Sequence, residues 1–70
     1  MDIEPISEYV AGEAGGRQYS AELRHLPGGP WYIEVIHVEA LAPLKGSDKT
    51  WPSREEAAQA AHQLVAALSQ

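Results

Sequence analysis

Seventy residues with five Lys/Arg against ten Asp/Glu, a formal net charge of −5 and no cysteine describe one small acidic domain. A chain of this length builds a single core and buries roughly 60% of the surface its unfolded form exposes, which excludes two domains. Without cysteine there is no disulfide framework, zinc ribbon or thiol nucleophile, so packing alone supplies a stability of about 3–5 kcal/mol and self-association is one way to add to it.

Residues 1–16 mix acids, Pro5 and the small-residue stretch Ala11-Gly12-Glu13-Ala14-Gly15-Gly16. They read as a weak strand from Ile3 to Val10 followed by a flexible glycine-rich tip. From Arg17 to Leu26 the pattern sharpens. Tyr19, Ala21, Leu23 and His25 alternate with Ser20, Glu22 and Arg24, the period of a half-buried strand. Pro27-Gly28-Gly29-Pro30 breaks it. Trp31 to Val38, rich in β-branched and aromatic residues, is then the strongest strand in the chain and completes a hairpin over residues 17–38.

A three-residue loop placing Pro27 opposite Trp31 pairs Leu23 with Val35, His25 with Ile33, and Arg24 with Glu34 as an opposite-charge pair. One face then carries Tyr19, Ala21, Leu23, Trp31, Ile33 and Val35. The other carries Ser20, Glu22, Arg24 and Glu34 together with Leu26, Tyr32, Ile36 and Val38. A four-residue loop would oppose Leu23 to Glu34 and mix apolar and charged groups on both faces, so the first register is preferred.

Residues 39–52 form a loop through Pro43 and the turn-rich Lys45-Gly46-Ser47-Asp48-Lys49, anchored by Leu41 and Leu44. Ser53-Arg54-Glu55-Glu56 is a capping box opening a helix over residues 53–68, whose acids also complement the positive end of its dipole. Ala57, Ala61, Leu64, Val65 and Leu68 recur on one stripe, while Gln59, His62, Gln63 and Ala66 face solvent. Trp51 stands where it can close the end of the core. The expected fold is α+β in β-β-β-α order: an antiparallel sheet of two or three strands with one C-terminal helix packed on one face.

The acidic balance and the scattering of Arg17, Arg24, Lys45, Lys49 and Arg54 argue against a phosphate-tracking surface, so no nucleic-acid partner is expected. No apolar run reaches the ~18 residues of a membrane span, and the start, Met-Asp-Ile-Glu-Pro, is acidic where a signal peptide is basic. The expected compartment is the cytoplasm.

No catalytic residue, metal site or cofactor site is expected. In the preferred register His25 and His37 share a face but stand roughly 13 Å apart, and the i−4 and i+4 neighbours of His62 are Ala58 and Ala66, which cannot ligate. Ser7, Ser20, Ser47, Ser53 and Ser69 sit in no nucleophile-elbow sequence, and Ser53 is a cap. Glu22 and Glu34 are near neighbours, but beside Arg24 in a solvated setting they form surface ion pairs rather than an acid–base couple. Gly15-Gly16 and Pro27-Gly28-Gly29-Pro30 are turns, since neither has a phosphate-loop spacing and the helix start holds Glu55 and Glu56. What remains is the second sheet face. Leu26, Tyr32, Ile36 and Val38 form an apolar stripe there, the candidate surface for a homodimer or a protein partner unless the N-terminal strand or the Leu41/Leu44 loop covers it.

The segments Tyr19-Ser-Ala-Glu-Leu, Pro27-Gly-Gly-Pro-Trp-Tyr-Ile-Glu-Val and Thr50-Trp-Pro-Ser-Arg-Glu-Glu-Ala-Ala, spanning residues 19–68, resemble the strand, turn, strand and helix of HicB-type antitoxin N-terminal domains and related small proteins of unknown function. The resemblance implies a partly open sheet plus helix like the double-stranded-RNA-binding fold, protein partners such as a small ribonuclease, and dimers. The chain departs from the family at Glu39-Ala-Leu-Ala-Pro-Leu-Lys-Gly, which replaces a Leu-Pro-Gly-Cys-type segment, and no DNA-binding tail is expected after Gln70. RNA-binding relatives of that architecture place lysines at the start of the final helix, where this chain has Ser53, Arg54, Glu55 and Glu56, so double-stranded RNA is disfavoured. The sequence therefore points to a small non-catalytic interaction module, self-associating or partner-binding through a sheet face or edge, with an antitoxin-like regulator as the alternative.

Overall fold

The computed structural model describes residues 4–46 and 48–68. The expected strand start at Ile3 and the serines Ser47 and Ser69 lie outside them. Strands β1 (Ile6–Ala14), β2 (Arg17–His25), β3 (Trp31–Val38) and β4 (Leu44–Lys45) form one antiparallel sheet in sequence order, and helix α1 (Arg54–Ala67) packs across β1, β2 and β3.

The first hairpin is more regular than its composition suggests. All nine residues of β1 pair with β2, from Ile6 opposite His25 to Ala14 opposite Arg17, so residues 11–14 are strand and not a flexible tip. Gly15 and Gly16 alone make the turn, with φ of 59° and 79°, the two positive values a type I′ hairpin turn requires. The small residues serve the helix above them. Gly12 lies under the Tyr19 hydroxyl, which would stand 2.9 Å from a Cβ at that position, and Ala14 is buried.

The second hairpin follows neither register along its whole length: from Tyr19–Val38 to Glu22–Val35 it takes the four-residue-loop register that was not preferred, and nearer the loop it shifts by one residue more. Pro27 and Gly28, with φ of 72° at Gly28 and the Gly29 amide donating to the Leu26 carbonyl at 2.7 Å, form a tight turn inside a five-residue loop that closes on the pair His25 and Trp31. Leu23 faces Ile33 and Arg24 faces Tyr32. Beyond them Glu22 faces Val35 and Ala21 faces Ile36, leaving Glu34 as the extra residue of a β-bulge. The bulge reverses the alternation of β3. Ile33, Ile36 and Val38 thereby all turn to the helix side, each at most 5% exposed.

The outer edge of β3 is covered by the returning chain. Leu44 pairs with Ile36 and Lys45 with Val35, the Gly46 amide donates to the Glu34 carbonyl at 3.2 Å, and Trp31 and Trp51 exchange both backbone hydrogen bonds at 2.8 Å. Leu44 packs against the core, whereas Leu41 is exposed. Ala57, Ala61 and Val65 bring α1 onto Ala21, Leu23, Ile33 and Ile36 with no exposed surface of their own, because alanine lets the helix axis approach the sheet closely. The expected stripe was wider. Leu64 and Leu68 lie on an exposed flank at 50% and 42%, while Trp51 closes one end of the core as its position suggested. Ser53 caps the helix by accepting from the Glu56 amide at 3.2 Å, and its hydroxyl donates to the Glu56 carboxylate at 3.3 Å.

Candidate functional site

The apolar stripe expected on the second sheet face does not exist as one surface. Ile36 and Val38 are core residues at 1% and 5% exposure. Leu26, in the loop, is exposed, and Tyr32 is half-buried on the face opposite α1. The bulge at Glu34 separates them: one extra residue moves Ile36 and Val38 from the side of Tyr32 to the side of the helix. Apolar residues at positions 31, 32, 33, 35, 36 and 38 show no period-two alternation, so residue type alone does not mark that phase change.

The face away from the helix is instead organised by charge. Arg24 Nε donates to Glu22 at 2.7 Å and its Nη1 lies 3.7 Å from Glu34, while the Ser7 hydroxyl donates to Glu22 at 3.1 Å. The Arg24 hydrogen bond holds the Glu22 carboxyl below its ordinary value, and the same bond raises Arg24. The Arg24–Glu34 pair forms as expected even though Tyr32 is the direct cross-strand neighbour of Arg24. His37 is exposed on this face and His25 lies on the other, since the bulge intervenes here also. His25 stacks on Trp31 with ring centroids 3.8 Å apart. His62 is exposed as expected, and its Nδ1 also lies 3.2 Å from the hydroxyl of the buried Tyr19. Burial raises the Tyr19 pKa. Among the described residues no group of three or more His, Asp or Glu side chains could hold a metal ion, and no helix is long and apolar enough to cross a membrane.

Two surfaces remain. One is an open groove of about 470 Å³ between the Trp51 segment and the outer flank of α1, lined by Lys49, Trp51, Ala60, Gln63, Leu64 and Ala67. The other is the outer edge of β1. The Gln18 carbonyl accepts from the Glu39 amide at 2.9 Å, so even-numbered residues of β2 turn their backbone groups toward β3 and odd-numbered ones toward β1. Their partners in β1 are the even-numbered residues. The backbone N–H and C=O of Ser7, Tyr9, Ala11 and Glu13 therefore point away from the sheet, and among the described residues no strand pairs with them. Glu8, the acidic side chain on the helix side of this edge, is held by Arg54 Nε at 3.2 Å and lies 3.8 Å from His25 Nε2, an ion pair when that ring is protonated. Ile6 and Tyr9 are exposed along the same strand, at 46% and 64%.

Compared with known protein families, curated proteins and solved structures, the chain matches none.

Proposed function

We propose that this chain is a non-catalytic protein-interaction module that meets its partner by accepting a strand along the open edge of β1. One observation carries the reading: among the described residues, nine residues of regular strand are paired on one side only, with four outward-pointing backbone positions from Ser7 to Glu13. An exposed edge of that length is a template for strand addition, in which main-chain hydrogen bonds supply affinity and alternate side chains supply selectivity. The chemistry elsewhere agrees with it. The groove beside Trp51 carries a single titratable lining residue, Lys49, and no nucleophile beside a base. The five cations are outnumbered by ten acids and support no phosphate-binding role.

The test is Ala11→Pro. Proline removes an N–H that points outward and leaves the β1–β2 ladder intact. The variant is expected to keep its circular dichroism spectrum and to lose association measured by light scattering over a concentration series. Association that persists unchanged in a folded Ala11→Pro would contradict the reading.

A further inference from the structure

We infer that the strand received by β1 is β1 of a second copy, paired antiparallel about Val10, so that two four-stranded sheets join into one of eight with both helices on the same face. The inference rests on the reading of the β1 edge given above and adds to it the partner and the register.

Facing residues in a two-fold antiparallel pair must share a sheet face, which limits the register to those centred on a residue of the strand. Val10 is the middle of Ile6–Ala14, so centring there opposes the whole strand to itself, whereas centring on Tyr9 or Ala11 shortens the ladder at one end. The charges fit this register. Glu8 comes opposite Gly12 and Glu13 opposite Ser7, so no carboxylate faces another, while Ile6 lies beside Ala14 and Tyr9 beside Ala11. An inward-facing charge on an edge strand ordinarily discourages pairing, but Glu8 already has the Arg54 guanidinium beside it at 3.2 Å.

Gly12 makes the match specific. It has no side chain of its own, and the space above it holds the Tyr19 hydroxyl, itself 3.2 Å from His62 Nδ1. The incoming Glu8 of the second copy is thus set beside a phenol and an imidazole. In the tautomer where the Tyr19 hydroxyl donates to Nδ1, the proton of the His62 ring sits on Nε2. Symmetry repeats the arrangement on the other side of the axis.

The chain has no cysteine, so a single introduced thiol reports the register directly. Opposed residues at the centre of the pair have Cα atoms about 4.5 Å apart, within disulfide range, whereas two copies of residue 8 would stand roughly 13 Å apart. Under mild oxidation Val10→Cys is expected to form a covalent dimer at least about tenfold more readily than Glu8→Cys. Should Val10→Cys fail to fold by circular dichroism, a mixture of Tyr9→Cys and Ala11→Cys, both away from the core, is expected to give the mixed disulfide in preference to either homodimer. A folded Val10→Cys that cross-links no better than Glu8→Cys, while Ala11→Pro still abolishes a dimer seen by light scattering, would overturn this register and leave edge pairing standing. A monomer at every concentration would overturn self-pairing, and a dimer indifferent to Ala11→Pro would overturn the edge reading itself.

Discussion

The two edges of the sheet are treated differently by the same short chain. Along β3, residues 39–51 return to add Leu44 and Lys45, dock Gly46 on Glu34, and exchange two backbone bonds between Trp31 and Trp51. Along β1, a longer and more regular strand, nothing among the described residues is added. The covered edge is a structural device: it closes the core with Leu44 and Trp51. The open edge is where a second chain can contribute what the first lacks, and a small domain with one core has reason to use it.

The covered edge is most sensitive at Gly46. A Cβ there would fall 1.6 Å from the Ile33 carbonyl oxygen, backbone that cannot move without unseating β4. Gly46→Ala is expected to lose about 3 kcal/mol in urea unfolding, a large share of the total for a chain of this size. Val10→Pro should cost a similar amount, about 3 kcal/mol, because its amide points into the β1–β2 ladder. Its neighbour Ala11 sharpens the contrast. Ala11→Pro is expected to cost the monomer less than about 1 kcal/mol, so that urea midpoints of the two proline variants measured at low protein concentration report which amides face outward.

Between the edges, Glu22 supplies a test by pH. Its carboxyl is lowered in the folded chain by the Arg24 hydrogen bond, so its contribution is fully present above the unfolded value and is lost as pH falls through the folded one. Melting temperatures measured from about pH 6 downward should fall less steeply in Glu22→Gln than in the parent. Equal slopes would remove the Arg24 hydrogen bond from the account. The smallest effect is expected at Ala40, held at φ of 62° in the turn that leaves β3. Ala40→Gly should raise stability by up to about 1 kcal/mol, since a Cβ in that region is strained.

Much of the architecture was legible in the sequence. The N-cap at Ser53, without the return bond from Glu56 to the Ser53 amide, the alternation of Arg17 to Leu26 and the β-branched run from Trp31 each follow from local chemistry, and the element order came from them. What was not legible depends on partners distant in sequence. Residues 11–14 are strand because β2 pairs with them and because small side chains fit beneath Tyr19 and α1, not because Gly12 and Ala14 favour extended structure. The bulge at Glu34 lies between two single registers, so a register chosen to sort the faces put Ile36 and Val38 on the wrong one. Leu64 and Leu68 carry the helical period, but the sheet beneath α1 is met by Ala57, Ala61 and Val65. The candidate surface changed accordingly, from side chains on a sheet face to backbone along an edge. Backbone hydrogen-bond direction leaves no mark in residue type.

Amide hydrogen exchange read residue by residue at low and high protein concentration tests the β1 edge most directly. The odd-numbered amides of Ser7, Tyr9, Ala11 and Glu13 are expected to exchange quickly in dilute solution while Glu8, Val10 and Gly12 are protected, and to become protected themselves as concentration rises. Protection of both sets in dilute solution, or odd-numbered amides that stay unprotected while light scattering shows a dimer, would contradict it.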